Sequence, residues 1–93
     1  MSFSNNNPTI AIIGLGYVGL PLAVAFAEKY TVVGFDIHSK RVDSLKKGVD
    51  DTLQCSTTQI QNAGKLVFTH QLDAIAHCQI YIVTCLLYTS PSP

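Results

Sequence analysis

Apolar and polar residues alternate in blocks along this chain, and the period inside each block names the element it can form. Met1–Asn7 is a polar, Asn-rich lead-in with little to bury. Thr9–Ile13 is a short β-branched run ended by Gly14, the pattern of a buried strand. From Tyr17 to Glu28 the spacing turns helical. Val18, Leu22 and Phe26 fall on one stripe at i, i+4 and i+8, with small Ala23 and Ala25 allowing close packing. Pro21 falls in the first turn, where its missing N–H costs little. Thr31–Phe35 is a second apolar strand, closed by Asp36.

The second half continues the alternation. Ser39 is placed to cap a helix through Lys47, with Val42 and Leu45 turned inward and Gly48 as its stop. Ser56 with Gln59 three residues on predicts a capping box for a short helix to Ala63, which Gly64 stops. Leu66–Thr69 reads as a third strand, Gln71–Cys78 as a helical turn or two, and Ile80–Thr84 as a fourth strand. The order is that of an α/β fold. Continuous apolar strands imply a parallel sheet covered on both faces, and four strands make it part of a Rossmann-type doubly wound sheet.

Composition bounds the reading. The 93 residues make one domain or part of one, against a usual size of about 100–150. With 47% hydrophobic and 13% charged residues the chain is globular in type. Six basic residues cancel six acidic ones, so no net field draws nucleic acid or an anionic membrane. Residues 10–27 carry no charge, a length at which a membrane span is considered. Residues 1–28 hold no Lys or Arg to anchor one, however, and the run contains three glycines and a proline. Cys55, Cys78 and Cys85 are odd in number and lack CxxC spacing, which suits incidental thiols in a reducing cytoplasm. His38, His70 and His77 lack metal spacing, and Lys46-Lys47 and Asp50-Asp51 read as solvated segment ends. No Ser/His/Asp or Cys/His set is present, so no catalytic residue is assigned.

One segment carries chemistry. Gly14-Leu-Gly16-Tyr-Val-Gly19 lies between the first strand and first helix, and Asp36 ends the next strand twenty-two residues after Gly14. Gly14 suits a tight turn, Gly16 leaves room for a pyrophosphate, and Gly19 lets the helix lie against the sheet. The N–H groups at the helix start, with its dipole, then face phosphates. Asp36 is placed to accept from both hydroxyls of an adenosine ribose, and its charge repels a 2′-phosphate, which favours NAD over NADP. Arg41 pulls the other way, since an arginine nearby can serve a 2′-phosphate; beside Asp36 it reads as a phosphate or adenine-edge neighbour. A bare tight turn with a capping aspartate is the plain alternative, which the coincidence of strand, glycines, helix and acid disfavours.

The stretch IAIIGLGYVGLPLAVAFAEKYTVVGFDI resembles the start of the UDP-glucose/GDP-mannose (nucleotide-sugar) 6-dehydrogenase family, and the likeness runs from about Thr9 to Thr84. GVDDTLQ at 48–54 and YIVT at 81–84 are most similar to the branch that oxidises UDP-N-acetylhexosamines for surface polysaccharides. The resemblance implies two successive oxidations of a sugar C6 alcohol to a carboxylate, by two NAD and a cysteine nucleophile. It also implies a UDP-sugar substrate and a homo-oligomeric parent enzyme. The candidate cofactor residues are Gly14, Gly16, Tyr17, Val18, Gly19, Asp36, Ile37 and Arg41. The family's Cys-Phe-Pro-Lys segment has no match in these 93 residues, so the fragment itself is expected to be inactive.

The tail breaks the resemblance. Where the family continues into a Val-Pro-Thr-Pro type of turn, this chain reads CLLYTSPSP, the translation of one frame of a transposon-type sequencing adapter. The expectation is a partial NAD-binding domain over 1–84 and a non-native tail over 85–93. Two other readings stay open. One is a stand-alone NAD(H)- or nucleotide-sensing Rossmann module. The other is a different NAD-dependent oxidoreductase sharing the glycine loop, such as a 3-hydroxyacyl-type or 6-phosphogluconate-type dehydrogenase.

Overall fold

The structure, a computed structural model, describes residues 8–84; the expectation for 85–93 lies outside the described residues. Four parallel strands, β1 (Thr9–Ile13), β2 (Thr31–Phe35), β3 (Leu66–Thr69) and β4 (Ile80–Val83), form one sheet in the order β3-β2-β1-β4. Helix α1 (Gly19–Phe26) joins β1 to β2, α2 (Ser39–Lys46) and α3 (Thr57–Asn62) join β2 to β3, and a 3-10 turn (Leu72–Ile75) precedes β4. Chain order runs outward from β1 to β3, then returns to add β4 on the other side of β1. The carboxyl end of β1 is therefore a topological switch point, the place where open α/β sheets bind ligands.

Parallel register puts Ile12 beside Gly34 and Ile82, and Ala11 beside Val33 and Tyr81. Period-two alternation then sorts the strands into two faces. Ile10, Ile12 and Val32 pack with Leu20, Ala23 and Ala27 from α1 and Val42 and Leu45 from α2, and this is the main core. Ala11, Val33 and Phe35 point the other way, onto Ile75 and Cys78. Coverage on the second face is thin among the described residues. Val67, Tyr81 and Val83 remain exposed, so the expected cover on both faces holds fully for one.

Helix α1 corrects the predicted stripe. Its buried line is Leu20, Ala23 and Ala27, whereas Val18 is exposed and Leu22 and Phe26 are only partly buried. The close approach of the helix start to the sheet rotates the small residues inward. In α2 the cap is His38, not Ser39, and its side chain does not cap: the ring turns back to Asp36. The capping box of α3 is present as expected, with Ser56 Oγ accepting from the Gln59 N–H and the Gln59 side chain accepting from the Ser56 N–H. Gly48 stops α2 at φ +85°, a conformation that a side chain would strain.

Candidate functional site

The site begins where β1 ends. Gly14 turns the chain at φ 103°, and its N–H still donates to the Phe35 carbonyl at 2.8 Å. A Cβ on Gly19 would stand 1.7 Å from the Gly14 carbonyl oxygen and 2.5 Å from Thr84 Oγ1. Only glycine lets α1 begin there. Thr84 Oγ1 donates to that same carbonyl at 2.8 Å, so the first turn of the loop is fastened from the end of β4 as well.

Between these glycines the loop has one buried anchor and an open rim. The Leu15 side chain is fully buried, and its methyls fill the space that Gly34 leaves in β2. Its N–H donates to Asp36 Oδ2 at 3.0 Å, and its carbonyl accepts from Arg41 Nε at 2.7 Å. Gly16, Tyr17 and Val18 are exposed instead. Among the described residues no carbonyl accepts from their N–H groups, and a Cβ on Gly16 would meet nothing within 4 Å. A rim of free amides at a helix start, with room above it, suits an anionic group. Tyr17, Val18 and Ile37 stand exposed around it, apolar surface of the kind a nucleoside covers.

Asp36 is partly buried at the carboxyl end of β2. Burial alone would raise its carboxyl, but the N–H groups of His38 and Leu15 and the His38 ring more than offset that and hold it below its ordinary value. It is therefore ionised at neutral pH. Its oxygens accept from Leu15, from the His38 N–H at 3.0 Å and from His38 Nδ1 at 2.8 Å. Each carboxylate oxygen offers more than one acceptor direction, so capacity for a ribose hydroxyl remains.

Arg41, expected at a phosphate or adenine edge, is anchored on the glycine loop. Its side chain is 12% exposed, with Nε on the Leu15 carbonyl and Nη1 2.9 Å from Asp50 Oδ1. Asp50 is not the solvated segment end that its sequence context predicts. Its side chain is fully buried. Oδ1 accepts from the Thr52 N–H and hydroxyl, and Oδ2 from the N–H groups of Gln54 and Cys55. Desolvation opposes ionisation there, but those donors and Arg41 outweigh it and hold the carboxyl well below the usual carboxylate range. Leu15, Asp50 and Thr84 are thus the residues that sequence reasoning missed. A Gly in the middle of an apolar strand opposite the loop was the available signal for Leu15, and Asp50-x-Thr52 the signal for a local turn.

Neither buried cysteine competes for a role. Burial pushes the thiols of Cys55 and Cys78 up, the opposite of an activated nucleophile, with the Asp50 charge adding to the effect at Cys55. The described residues contain no cluster of His, Cys, Asp or Glu able to hold a metal, and no helix among them is long and apolar enough to cross a membrane.

A parallel α/β sheet with a glycine loop at its switch point and an acid ending the second strand defines a dinucleotide-binding fold. The family model for the NAD-binding domain of the UDP-glucose/GDP-mannose dehydrogenase family matches residues 8–86. The chain belongs to that family, and what it carries is the NAD-binding domain. It is 48% identical over 75 residues to a UDP-N-acetyl-D-glucosamine 6-dehydrogenase of Pseudomonas aeruginosa, covering 81% of this chain and 18% of that protein. It is 48% identical over 82 residues to one from Salmonella typhi, covering 88% and 19% respectively. A solved UDP-D-ManNAc dehydrogenase from Pyrococcus horikoshii superposes with TM-score 0.69 at 31% identity, over 82% of this chain and 19% of that one. The chain thus spans about a fifth of the length of the curated relatives it matches.

Proposed function

We propose that this chain is the cofactor-binding part of an NAD-dependent UDP-sugar 6-dehydrogenase whose substrate is a UDP-N-acetylhexosamine. The observation that carries the reading is the open rim of Gly16–Val18 amides beside an ionised Asp36 at the switch point of the sheet. The residues fit the cofactor: space lies above Gly16, apolar side chains flank the loop, and Arg41 is engaged by Leu15 and Asp50. In this reading Gly14 and Gly19 shape the loop, the amides of Gly16, Tyr17 and Val18 bind pyrophosphate, and Asp36 orients the adenosine ribose. Tyr17, Val18 and Ile37 shield the nucleotide from water, and Arg41 supports the loop from beneath. NAD when bound supplies the hydride acceptor for alcohol oxidation.

The names of the two bacterial relatives support the N-acetylhexosamine branch. The reading divides the chain into a partial NAD-binding domain over 1–84 and a non-native tail over 85–93. It places the whole protein in the cytoplasm as a homo-oligomer. Catalysis then requires a cysteine nucleophile outside these 93 residues, so the chain alone turns over no UDP-sugar.

Sequencing the source locus from the Gly14–Gly19 codons through codon 84 tests the assignment. A Pro-Thr-Pro turn followed later by a Gly-rich Cys segment is the expected result. A natural stop after CLLYTSPSP would favour a small NAD(H)-sensing module instead.

A further inference from the structure

The acid that ends β2 shares one oxygen with a titratable ring. Asp36 Oδ1 accepts from the His38 N–H at 3.0 Å and from His38 Nδ1 at 2.8 Å, while Oδ2 takes the Leu15 N–H. The Asp36 side chain is 13% exposed and that of His38 76%, so the ring lies in solvent at the rim of the ribose acid. His38 precedes α2, but its side chain caps no helix N–H, and Asp36 is the partner that holds the ring.

That contact fixes the tautomer. An ionised carboxylate only accepts, so Nδ1 carries the hydrogen, and in the neutral ring Nε2 is a bare acceptor. Protonation turns Nε2 into a donor and sets a positive charge against Asp36. Imidazoles gain that charge between about pH 8 and pH 5, where Asp36, held below 3.8, stays ionised. The neighbouring charged groups of α2, Lys40 and Arg41, keep their charge throughout that range, and Arg41 Nε remains on the Leu15 carbonyl. His70, which follows β3 in register with Asp36 and is exposed, is the other imidazole at this edge of the site.

We propose that His38 is a specificity-determining residue of the ribose site: it helps exclude a 2′-phosphate when its ring is neutral and accommodates one when the ring is protonated. The inference rests on the dinucleotide-binding reading above. With the ring neutral, a 2′-phosphate meets the Asp36 charge and the Nε2 lone pair, both repulsive. With the ring protonated, the Asp36 charge is offset and Nε2–H can donate to an anion. NAD has no charged group at that position and gains no such contact, so the preference for NAD weakens as pH falls.

Dissociation constants for NAD and NADP, measured by calorimetry on the full chain at about pH 8 and about pH 5.5, test this in wild type, His38→Gln and His70→Gln. The 2′-phosphate binds a proton of its own in this range, and His38→Gln supplies the reference for that part. The NADP-to-NAD affinity ratio of the wild type rises on acidification about fivefold more than that of His38→Gln, the size of one screened charge contact. His70→Gln keeps the wild-type rise. His38→Lys, charged at both pH values, has the raised ratio already at the higher one. A His38 that only supports the fold would, when replaced, weaken both nucleotides alike and leave the pH dependence of the ratio intact, which overturns the inference. So does a rise lost in His70→Gln and kept in His38→Gln, or a His38→Lys ratio no higher than that of the wild type. Each of these outcomes leaves dinucleotide binding intact. A wild type that binds neither nucleotide removes the underlying reading and the inference with it.

Discussion

Two loops of this chain, Gly14–Val18 and Gly48–Cys55, each gather several backbone N–H groups into a small space, and they treat them in opposite ways. In Gly48–Cys55 the chain supplies its own anion: the buried Asp50 carboxylate takes the N–H groups of Thr52, Gln54 and Cys55. In Gly14–Val18 the Leu15 N–H meets a carboxylate, and those of Gly16, Tyr17 and Val18 have no acceptor among the described residues. A loop that closes on an internal charge is structural, because buried amides left unpaired would cost more than the turn returns. A loop that leaves its amides open in solvent, at a helix start, has kept them for a ligand. Arg41 links the two, with one nitrogen on each.

The largest effect comes from opening the closed loop. Asp50→Ala strands three amides, a hydroxyl and the buried Arg41 charge, and should cost about 4 kcal/mol, read from chemical denaturation. Close behind is Gly19→Ala, whose Cβ would collide with the Gly14 carbonyl oxygen at 1.7 Å, for about 3 kcal/mol. Gly16→Ala sharpens the contrast. With nothing within 4 Å of the new Cβ, stability should move by less than about 0.5 kcal/mol. NADH affinity should nevertheless fall at least about tenfold, because the methyl group occupies the space above the open amides.

Acid should weaken both loops, with Asp50 holding its charge to the lower pH. The carboxyls of Asp36 and Asp50 are both held below their ordinary value of 3.8, so each contributes stability that is present above that value and lost as pH falls through it toward the folded-state values. Thermal melts recorded downward from pH 6 should fall steadily below about pH 5, and less steeply in Asp50→Asn, which has one such carboxyl fewer. A more modest loss of stability is expected outside both loops. Ser56→Ala removes the cap of α3 and should cost about 1 kcal/mol by the same denaturation measurement.

How much of this was legible in the sequence depends on the range of each interaction. The strands were, because β-branched runs bounded by glycine are local signals; β1, β2 and β3 have the expected ends. The glycine loop was, because its outer glycines meet limits of backbone angle and space, which Gly14 and Gly19 show at φ 103° and 1.7 Å. The inward face of α1 was not. Its rotation is decided by how near Gly19 brings it to the sheet, and that distance has no local periodicity. Asp50 was hidden for a related reason. Asp50-Asp51 beside Lys46-Lys47 looks like a solvated cluster until the fold brings Arg41 across from α2, and only then does burial become tolerable. Thr84 lay unseen because its partner, the Gly14 carbonyl, is seventy residues away.

The central claim is that the open amides, and not the closed ones, receive the dinucleotide. Backbone amide chemical shifts of the 15N-labelled full chain, followed through an NADH titration, address it residue by residue. Saturable shifts at Gly16, Tyr17 and Val18, with Thr52, Gln54 and Cys55 nearly still, are the predicted result. A titration that leaves 16–18 unmoved while NADH binds elsewhere, or does not bind, would contradict it.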